Sequence, residues 1–303
     1  MTVDVNGIVR DRFGCDAVIE RTFEGFYATV YLVSLEGGEQ RILKCFHRSG
    51  IAEREAAALT RLAQSSPPAL AVPSVLDVGQ EGDRELIVQS FVPGQPVPEV
   101  LSFLGGSGQA SDALAEQIID VVEHWHSRVG ESFEDRQGAR HARFVDSFLA
   151  DIGSLVGWLQ EDETIGPDVR CRILDTVPLV PTLLHPLRDD PAVFIHDDCH
   201  AGNFLADPVS GHLTGVIDPG QARYTHRELD LFHLADAAPE LRLWDRAVAR
   251  RPIATGGEVR RRLFSIWDDV MHARASGWRD DAWFARKLDA LDSSLCDAPM
   301  VTE

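Results

Sequence analysis

The sequence predicts an α+β fold in two lobes: an antiparallel sheet with one helix, followed by a mainly helical lobe. Three observations predict it. Residues 19–46 are rich in β-branched and aromatic side chains and reverse at Gly37-Gly38, the pattern of a β-hairpin. Beyond residue 93, apolar residues recur at helical spacing. Two acidic loops then interrupt the helical part, each after a short apolar run: Phe194–Leu205 and Val216–Gly220.

Taken in order, Phe26–Ser34 and Arg41–Phe46 form the first strand pair. Gly25 precedes it; taken alone it reads as an ordinary turn, and with the rest of the pattern as a candidate cofactor-binding loop. On the second strand the period of two puts Ile42, Lys44 and Phe46 on one face. Lys44 therefore points into a cleft or core, where a buried ammonium needs a partner. The chain has two lysines, Lys44 and Lys287, and otherwise uses arginine; a compact point charge suits a phosphate contact. A helix over Ile51–Leu62 offers Glu53 and Glu55 as partners. Glu55 is favoured because it lies four residues before Leu59, near the packing face. Ser65-Ser66-Pro67-Pro68 ends this helix, and Val72–Gly79 with Glu85–Phe91 forms a second strand pair. Val92-Pro93-Gly94 marks the lobe boundary, giving a nucleotide-binding lobe over 1–92 and a catalytic lobe over 93–303.

In the second lobe, Leu114, Ile118, Val121, Val122 and Trp125 make one helical stripe, and Phe144, Phe148, Ile152, Leu155 and Leu159 another. Ile173–Leu184 reads as a third helix. Short strands are expected at Val193–Ile195, Asn203–Leu205 and Leu213–Ile217, and helices over 228–238, 259–273 and 280–291. Gly105–Gln109 reads as a flexible loop.

Composition narrows the function classes. The chain is 44% hydrophobic and 25% charged, as in a soluble globular protein. No run approaches the roughly 18 apolar residues of a membrane helix, and the polar N-terminus lacks the order of a signal peptide, so the expected location is the cytoplasm. The five cysteines are odd in number and widely spaced with no C-x-x-C, against a disulfide framework or structural zinc. Cys45 and Cys199, in apolar surroundings, read as buried spectators. Acids number 48 against 29 lysines and arginines, a net charge of −19. That argues against nucleic acid as partner and is compatible with a cationic substrate. Nothing in the sequence specifies an oligomeric state.

The two acidic loops carry the chemistry. Phosphoryl transfer from a nucleoside triphosphate needs a carboxylate to orient and deprotonate the attacking hydroxyl, oxygen ligands for Mg²⁺, and a cation on the phosphates. Asp198 suits the base, Asn203 a neutral Mg²⁺ ligand, Asp218 a charged one, and Lys44 the phosphate cation held by Glu55. The rival reading makes His196, Asp197 and His200 a transition-metal site for hydrolysis. That H-x-x-x-H spacing works on one face of a helix, and strand-like flanks followed by Ala201-Gly202 argue for a loop. His196 reads instead as a brace for the loop backbone, and His200 as a brace or an active-site residue.

His196-Asp197-Asp198-Cys199-His200-Ala201-Gly202-Asn203 resembles the H-G-D-x-H-x-x-N loop of the aminoglycoside phosphotransferase and choline kinase superfamily, which has a protein-kinase-like fold. Val216-Ile217-Asp218 resembles the family's I-D-W segment. Lys44, Glu55 and Leu86–Gly94 match in order, and Glu228-Leu229-Asp230-Leu231 resembles the following D-L-A helix. The matched motifs run from about Phe23 to Leu231. Asp197 stands where the family has glycine, and Pro219 where it has tryptophan; both adjoin the family's acceptor site.

The resemblance implies ATP or GTP with Mg²⁺, base contacts from the backbone of Gln89 and Phe91, Val88 deepest behind the base, and structural support from His196 and Asp230. It implies a small-molecule hydroxyl acceptor, often cationic. Asp197, His200, Asp236, Asp268 and Asp269 become candidate acceptor contacts. The expected substrate is antibiotic-like, an aminoglycoside first and a nucleoside or peptide antibiotic next, with resistance or self-protection as the outcome. A metabolic kinase for choline, homoserine or a sugar is the alternative, and a non-catalytic nucleotide-binding scaffold the second.

Overall fold

Alternation in the first lobe resolves into a five-stranded antiparallel sheet. The structure, a computed structural model, describes residues 4–104 and 108–297. Met1-Thr2-Val3 of the N-terminus and Gly105-Gly106-Ser107 of the expected flexible loop lie outside the described residues. In chain order the first elements are α1 (Val5–Phe13), β1 (Val18–Glu24), β2 (Ala28–Ser34), β3 (Gln40–Phe46), α2 (Ala52–Ser65), β4 (Val75–Glu81) and β5 (Arg84–Ser90). The strand order is β1-β2-β3-β5-β4.

Period-two alternation gives this sheet two apolar faces. Leu43, Cys45, Leu86 and Val88 bury against Ile8 and Val9 of α1, and Ala28, Phe46 and Ile87 bury against Ala52 and Leu59 of α2. Lys44 pairs with Val30 on one side and Ile87 on the other, so it belongs to the α2 face. Helix α1 went unread in the sequence because it spans little more than two turns; Asp4 caps it by accepting from the Gly7 N–H at 3.0 Å. Helix α2 starts at Ile51 without a side-chain cap of its own. Glu85 of β5 substitutes, accepting from the backbone N–H groups of Ile51 at 2.8 Å and Ala52 at 2.9 Å. Those are donors a helix start leaves unsatisfied, and the bonds register α2, and with it Glu55, against β5.

The later elements are β6 (Gln95–Pro96), α3 (Val97–Leu104), α4 (Gln109–His126), β7 (Phe133–Glu134), β8 (Arg140–His141), α5 (Phe144–Glu161), α6 (Pro167–Leu174), α7 (Val180–Leu184), β9 (Val193–Phe194), β10 (Phe204–Ala206), β11 (Leu213–Val216), β12 (Tyr224–Thr225), α8 (Glu228–Leu231), α9 (Leu243–Arg250), α10 (Gly257–Ser276) and α11 (Asp281–Asp297). The single helix expected over 173–184 is broken. Pro178, Pro181 and Pro186 each open a new short turn, because proline has no N–H to continue the ladder. The helix expected over 228–238 shortens to α8 and a 3₁₀ turn at Phe232–Ala235, ending where Ala237 and Ala238 take positive φ. No described helix is long and apolar enough to cross a membrane.

The contacts group the chain into two compact units. One runs up to Ile118 and includes Ala201–Ala222; the other holds Ile119–His200 and the chain from Arg223. The physical reason is strand pairing. Strand β10 pairs with both β11 and β6, and Ala71 bridges to Gly215, which ties the second acidic loop into the first unit. The second unit's core is helical, with Phe148, Leu159, Ile173, Leu184, Phe264, Trp267 and Phe284 buried together.

Candidate active site

In the first unit a buried cation sits between two acids. The Lys44 Nζ donates to Glu55 Oε1 at 2.7 Å and to Asp218. The lysine and Glu55 side chains are 8% and 14% exposed, but Asp218 is 45% exposed, so one member of the triad faces solvent. Burial alone would lower the Lys44 pKa; the Asp218 and Glu55 carboxylates outweigh it and raise it. The ammonium is therefore charged throughout the physiological range. Glu55 also accepts from Gln89 Nε2 at 2.8 Å.

The β10–β11 pair delivers the remaining groups. Ile217 N–H donates to the Asn203 carbonyl at 2.9 Å, and Asn203 Nδ2 donates to the Asp218 carbonyl at 3.3 Å. That bond uses one of the two amide N–H donors, and the amide oxygen is the atom of ligand type. Asp218 has φ +53°, a left-handed conformation that aspartate tolerates better than most residues. An amide oxygen beside a carboxylate is the hard-oxygen donor set that Mg²⁺ takes when phosphates complete its shell, so these residues fit that ion.

The base-contact residues divide by sheet face. Gln89 is buried on the Lys44 face, because its partner on β3 is Ile42. Val88, expected behind the base, is on the other face, packed with Leu43 and Cys45 against α1. Alternation from Ile87 requires this, and Gln89 is the residue that shares the Lys44 face. Phe91 follows β5, half-buried. Gly25 closes the β1–β2 turn, its N–H donating to Ala28 O at 3.0 Å.

In the second unit Asp230 organises the loop around Asp198. Its Oδ2 accepts from the His196 backbone N–H at 3.0 Å and lies 3.1 Å from His126 Nε2; its Oδ1 accepts from the Asp197 N–H at 2.9 Å. Burial raises the Asp230 pKa, but these bonds and the neighbouring imidazoles hold it below the usual carboxylate range. His196 is buried and stacked on Trp125, ring centroids 5.5 Å apart. Residues 196–200 are not helical, so the two histidines do not share a helix face. Among the described residues no group of three or more His, Cys, Asp or Glu is arranged to hold a metal ion. Burial pushes the Cys199 thiol well up, and Cys45 to about 11, which makes both poor nucleophiles.

The acids expected to meet a cationic acceptor are largely engaged within the chain. Asp197 is buried at φ +67°, with Arg223 Nη2 at 3.3 Å and Arg136 Nη2 at 3.4 Å. Arg223 in turn donates to Asp151 at 2.8 Å and to the Glu134 carbonyl at 2.8 Å. Asp268 lies 3.2 Å from His272 and 3.9 Å from Arg136; burial raises its pKa, but His272 and His233 hold it well below the usual range. Asp269 pairs with Lys287 and accepts from Trp283 Nε1 at 2.9 Å, tying α10 to α11. Asp236 is exposed, 3.7 Å from His233 Nδ1. Asp198, a third exposed, has His200 Nε2 and His233 Nδ1 each 3.8 Å from its Oδ1.

Arg136, Asp151, Arg223, His233 and His272 were missed in the sequence. The one available signal was Asp197: a buried acid demands a cation, but nothing local says that Arg223, 26 residues on, supplies it.

The family described as "Phosphotransferase enzyme family" matches residues 19–264. Among curated proteins, uncharacterized protein YcbJ of Escherichia coli K12 is 26% identical over 196 residues, covering 61% of each chain. The chain thus spans about three fifths of the length of the curated relatives it matches. Among solved structures, a fructosamine-3-kinase candidate from Thermobifida fusca aligns with a TM-score of 0.65 at 20% identity, covering 97% of this chain and 99% of that one. Macrolide 2'-phosphotransferase MphH of Brachybacterium faecium aligns at 0.57 and 20%, covering 96% and 98%. The aminoglycoside phosphotransferase APH(3'')-Id of Streptomyces rimosus, in complex with ADP and streptomycin, aligns at 0.54 and 18%, covering 97% and 99%. At these identities the structures establish a shared fold, an antiparallel sheet followed by a mainly helical part.

Proposed function

We propose that this chain, which belongs to the phosphotransferase enzyme family, transfers the γ-phosphate of ATP or GTP to a hydroxyl of a small molecule. The observation that carries the reading is the Lys44–Glu55–Asp218 triad with Asn203 beside Asp218. Lys44, kept charged by two acids, holds the phosphate tail. Asn203 and Asp218 hold Mg²⁺, which when bound neutralises charge on the phosphates. Asp198 orients the acceptor hydroxyl and takes its proton. The backbone of Gln89 and Phe91 binds the base, and the Asp230 carboxylate holds the loop that carries Asp198.

For the acceptor, the pairing of Asp197, Asp268 and Asp269 with basic groups of the chain favours a neutral, sugar-like hydroxyl compound over a polycation. An antibiotic acceptor is the second reading, favoured by the macrolide and streptomycin phosphotransferases among the structural neighbours. A coupled ADP/GDP-release assay over glycated amines, choline, homoserine, macrolides and aminoglycosides tests both. In that assay Asp198→Asn is expected to lose about 10²–10⁴-fold in turnover, the range for a general base, with Mg·nucleotide binding retained. Retention of more than about a tenth of turnover would overturn the assignment of the base.

A further inference from the structure

Two imidazoles approach the Asp198 carboxylate, and they are built differently. His200 belongs to the loop itself, and its side chain is a third exposed. His233 is buried on the 3₁₀ turn Phe232–Ala235, three residues past the loop-supporting Asp230. Its ring lies against Phe232, centroids 3.8 Å apart. Nδ1 sits between two carboxylates, 3.8 Å from Asp198 and 3.7 Å from Asp236. Nε2 is buried and meets no hydrogen-bond partner.

Separations of 3.7–3.8 Å are too long for good hydrogen bonds. They are effective charge contacts in a partly desolvated place. A neutral His233 would therefore have little to orient it beyond packing on Phe232, whereas a charged one is held by both acids. The groups that face it are Asp198 from the loop with His200 beyond, Asp236 from its own turn, and Asp268 with His272 from α10; Arg136 lies beside Asp268.

We propose that His233 is a positioning residue for Asp198: an imidazolium, clamped by Asp236, that holds the base carboxylate aligned. The proposal rests on the reading of Asp198 as base and adds a residue which that reading does not require. The raised His233 pKa, about 9, agrees: burial opposes the charge, and Asp236, Asp268 and Asp198 override it. Without the imidazolium the Asp198 carboxylate loses a buried charge contact that orients it, so the acceptor hydroxyl is held less well for transfer while nucleotide binding is untouched.

The test has two arms on the full chain. In the first, histidine-labelled protein is titrated by NMR, with His233 assigned by its loss in His233→Asn. Wild-type His233 is expected to titrate near 9 and to fall by about one unit or more in Asp198→Asn. In the second, His233→Asn is compared with wild type on the acceptor found by the release panel. The kcat should fall about tenfold with the KM for nucleotide unchanged, a split that a general loss of structure would not give. A His233 titration that ignores Asp198→Asn, or a kcat for His233→Asn equal to that of wild type, would overturn the proposal. The NMR arm needs no turnover. Failure of the base reading, seen as activity surviving in Asp198→Asn, is therefore distinguishable from failure of the His233 coupling.

Discussion

Lys44 sits between Glu55 and Asp218, and Arg223 sits between Asp151 and Asp197. The two triads have the same electrostatic plan, a buried cation flanked by two acids, and each raises the pKa of its cation against the pull of burial. They differ in closure and in the cation. Asp218 is nearly half exposed, whereas every member of the Arg223 triad is buried. Lys44 is a point charge that can turn toward a ligand. Arg223 spreads its planar fork over Asp151, Asp197 and the Glu134 carbonyl, a bracing task that guanidinium geometry suits. Charge content alone thus does not tell the two clusters apart; the difference is that one acid of the Lys44 triad is left partly open to solvent.

The largest effect is expected on the closed triad. Arg223→Met leaves Asp151 and Asp197 buried without their shared cation and should cost about 3–5 kcal/mol of stability, the usual result of removing one partner of a buried pair. The urea midpoint reads it directly at constant slope. Arg223→Lys should recover only part, because a lysine cannot bridge three acceptors with one fork. A loss below about 1 kcal/mol for Arg223→Met would break the comparison by showing that this triad is not a brace.

The open triad should respond in the opposite currency. In Lys44→Met, Asp218 can relax into water and Glu55 keeps its bond from Gln89, so the stability loss should stay near the ordinary ~1 kcal/mol for a substitution. Turnover should fall about 10²–10³-fold, comparable to deleting one preorganised electrostatic group. Steady-state phosphate transfer beside a urea melt separates the two quantities. Equal destabilisation of Lys44→Met and Arg223→Met would erase the distinction between an open and a closed cluster.

How legible these clusters were follows from the range of their interactions. The sheet, α2 and the strand pair around Asn203 and Asp218 are written in local alternation and turns, and they were read nearly in place. Lys44 stood out because lysine is rare in this chain and sits within an apolar strand; its partner Glu55 followed from helical spacing. Val88 lies on the face opposite Lys44, and this was not legible because the face of β5 is set by its pairing with β3 and not by β5 alone. The Arg223 triad joins residues 26 and 72 positions apart. Its members look like ordinary surface charges until the second unit folds around them. Asp197 was read as an acceptor contact because it stands at the family's glycine position beside the acceptor site, and nothing local says that it turns inward.

Asp197 also allows the smallest and cleanest test, because two substitutions remove the same carboxylate and differ by one methyl group. Its φ of +67° lies in the left-handed region, where glycine, the family's usual residue here, pays no steric penalty and alanine does. Both Asp197→Gly and Asp197→Ala leave Arg223 with Asp151 and keep the backbone N–H that donates to Asp230. Their shared loss should be smaller than that of Arg223→Met, since only one of the cation's two acids is gone. Alanine usually stabilises relative to glycine by shrinking the unfolded ensemble; here the order should invert, with Asp197→Ala less stable by about 1 kcal/mol. Paired urea melts decide the sign. An alanine variant as stable as the glycine variant would mean that the loop relaxes away from the left-handed conformation once the carboxylate is gone. The bonds from Asp197 to Arg223 and Arg136, and not the bonds from Asp230 to the loop backbone, would then be what holds the turn leading into Asp198.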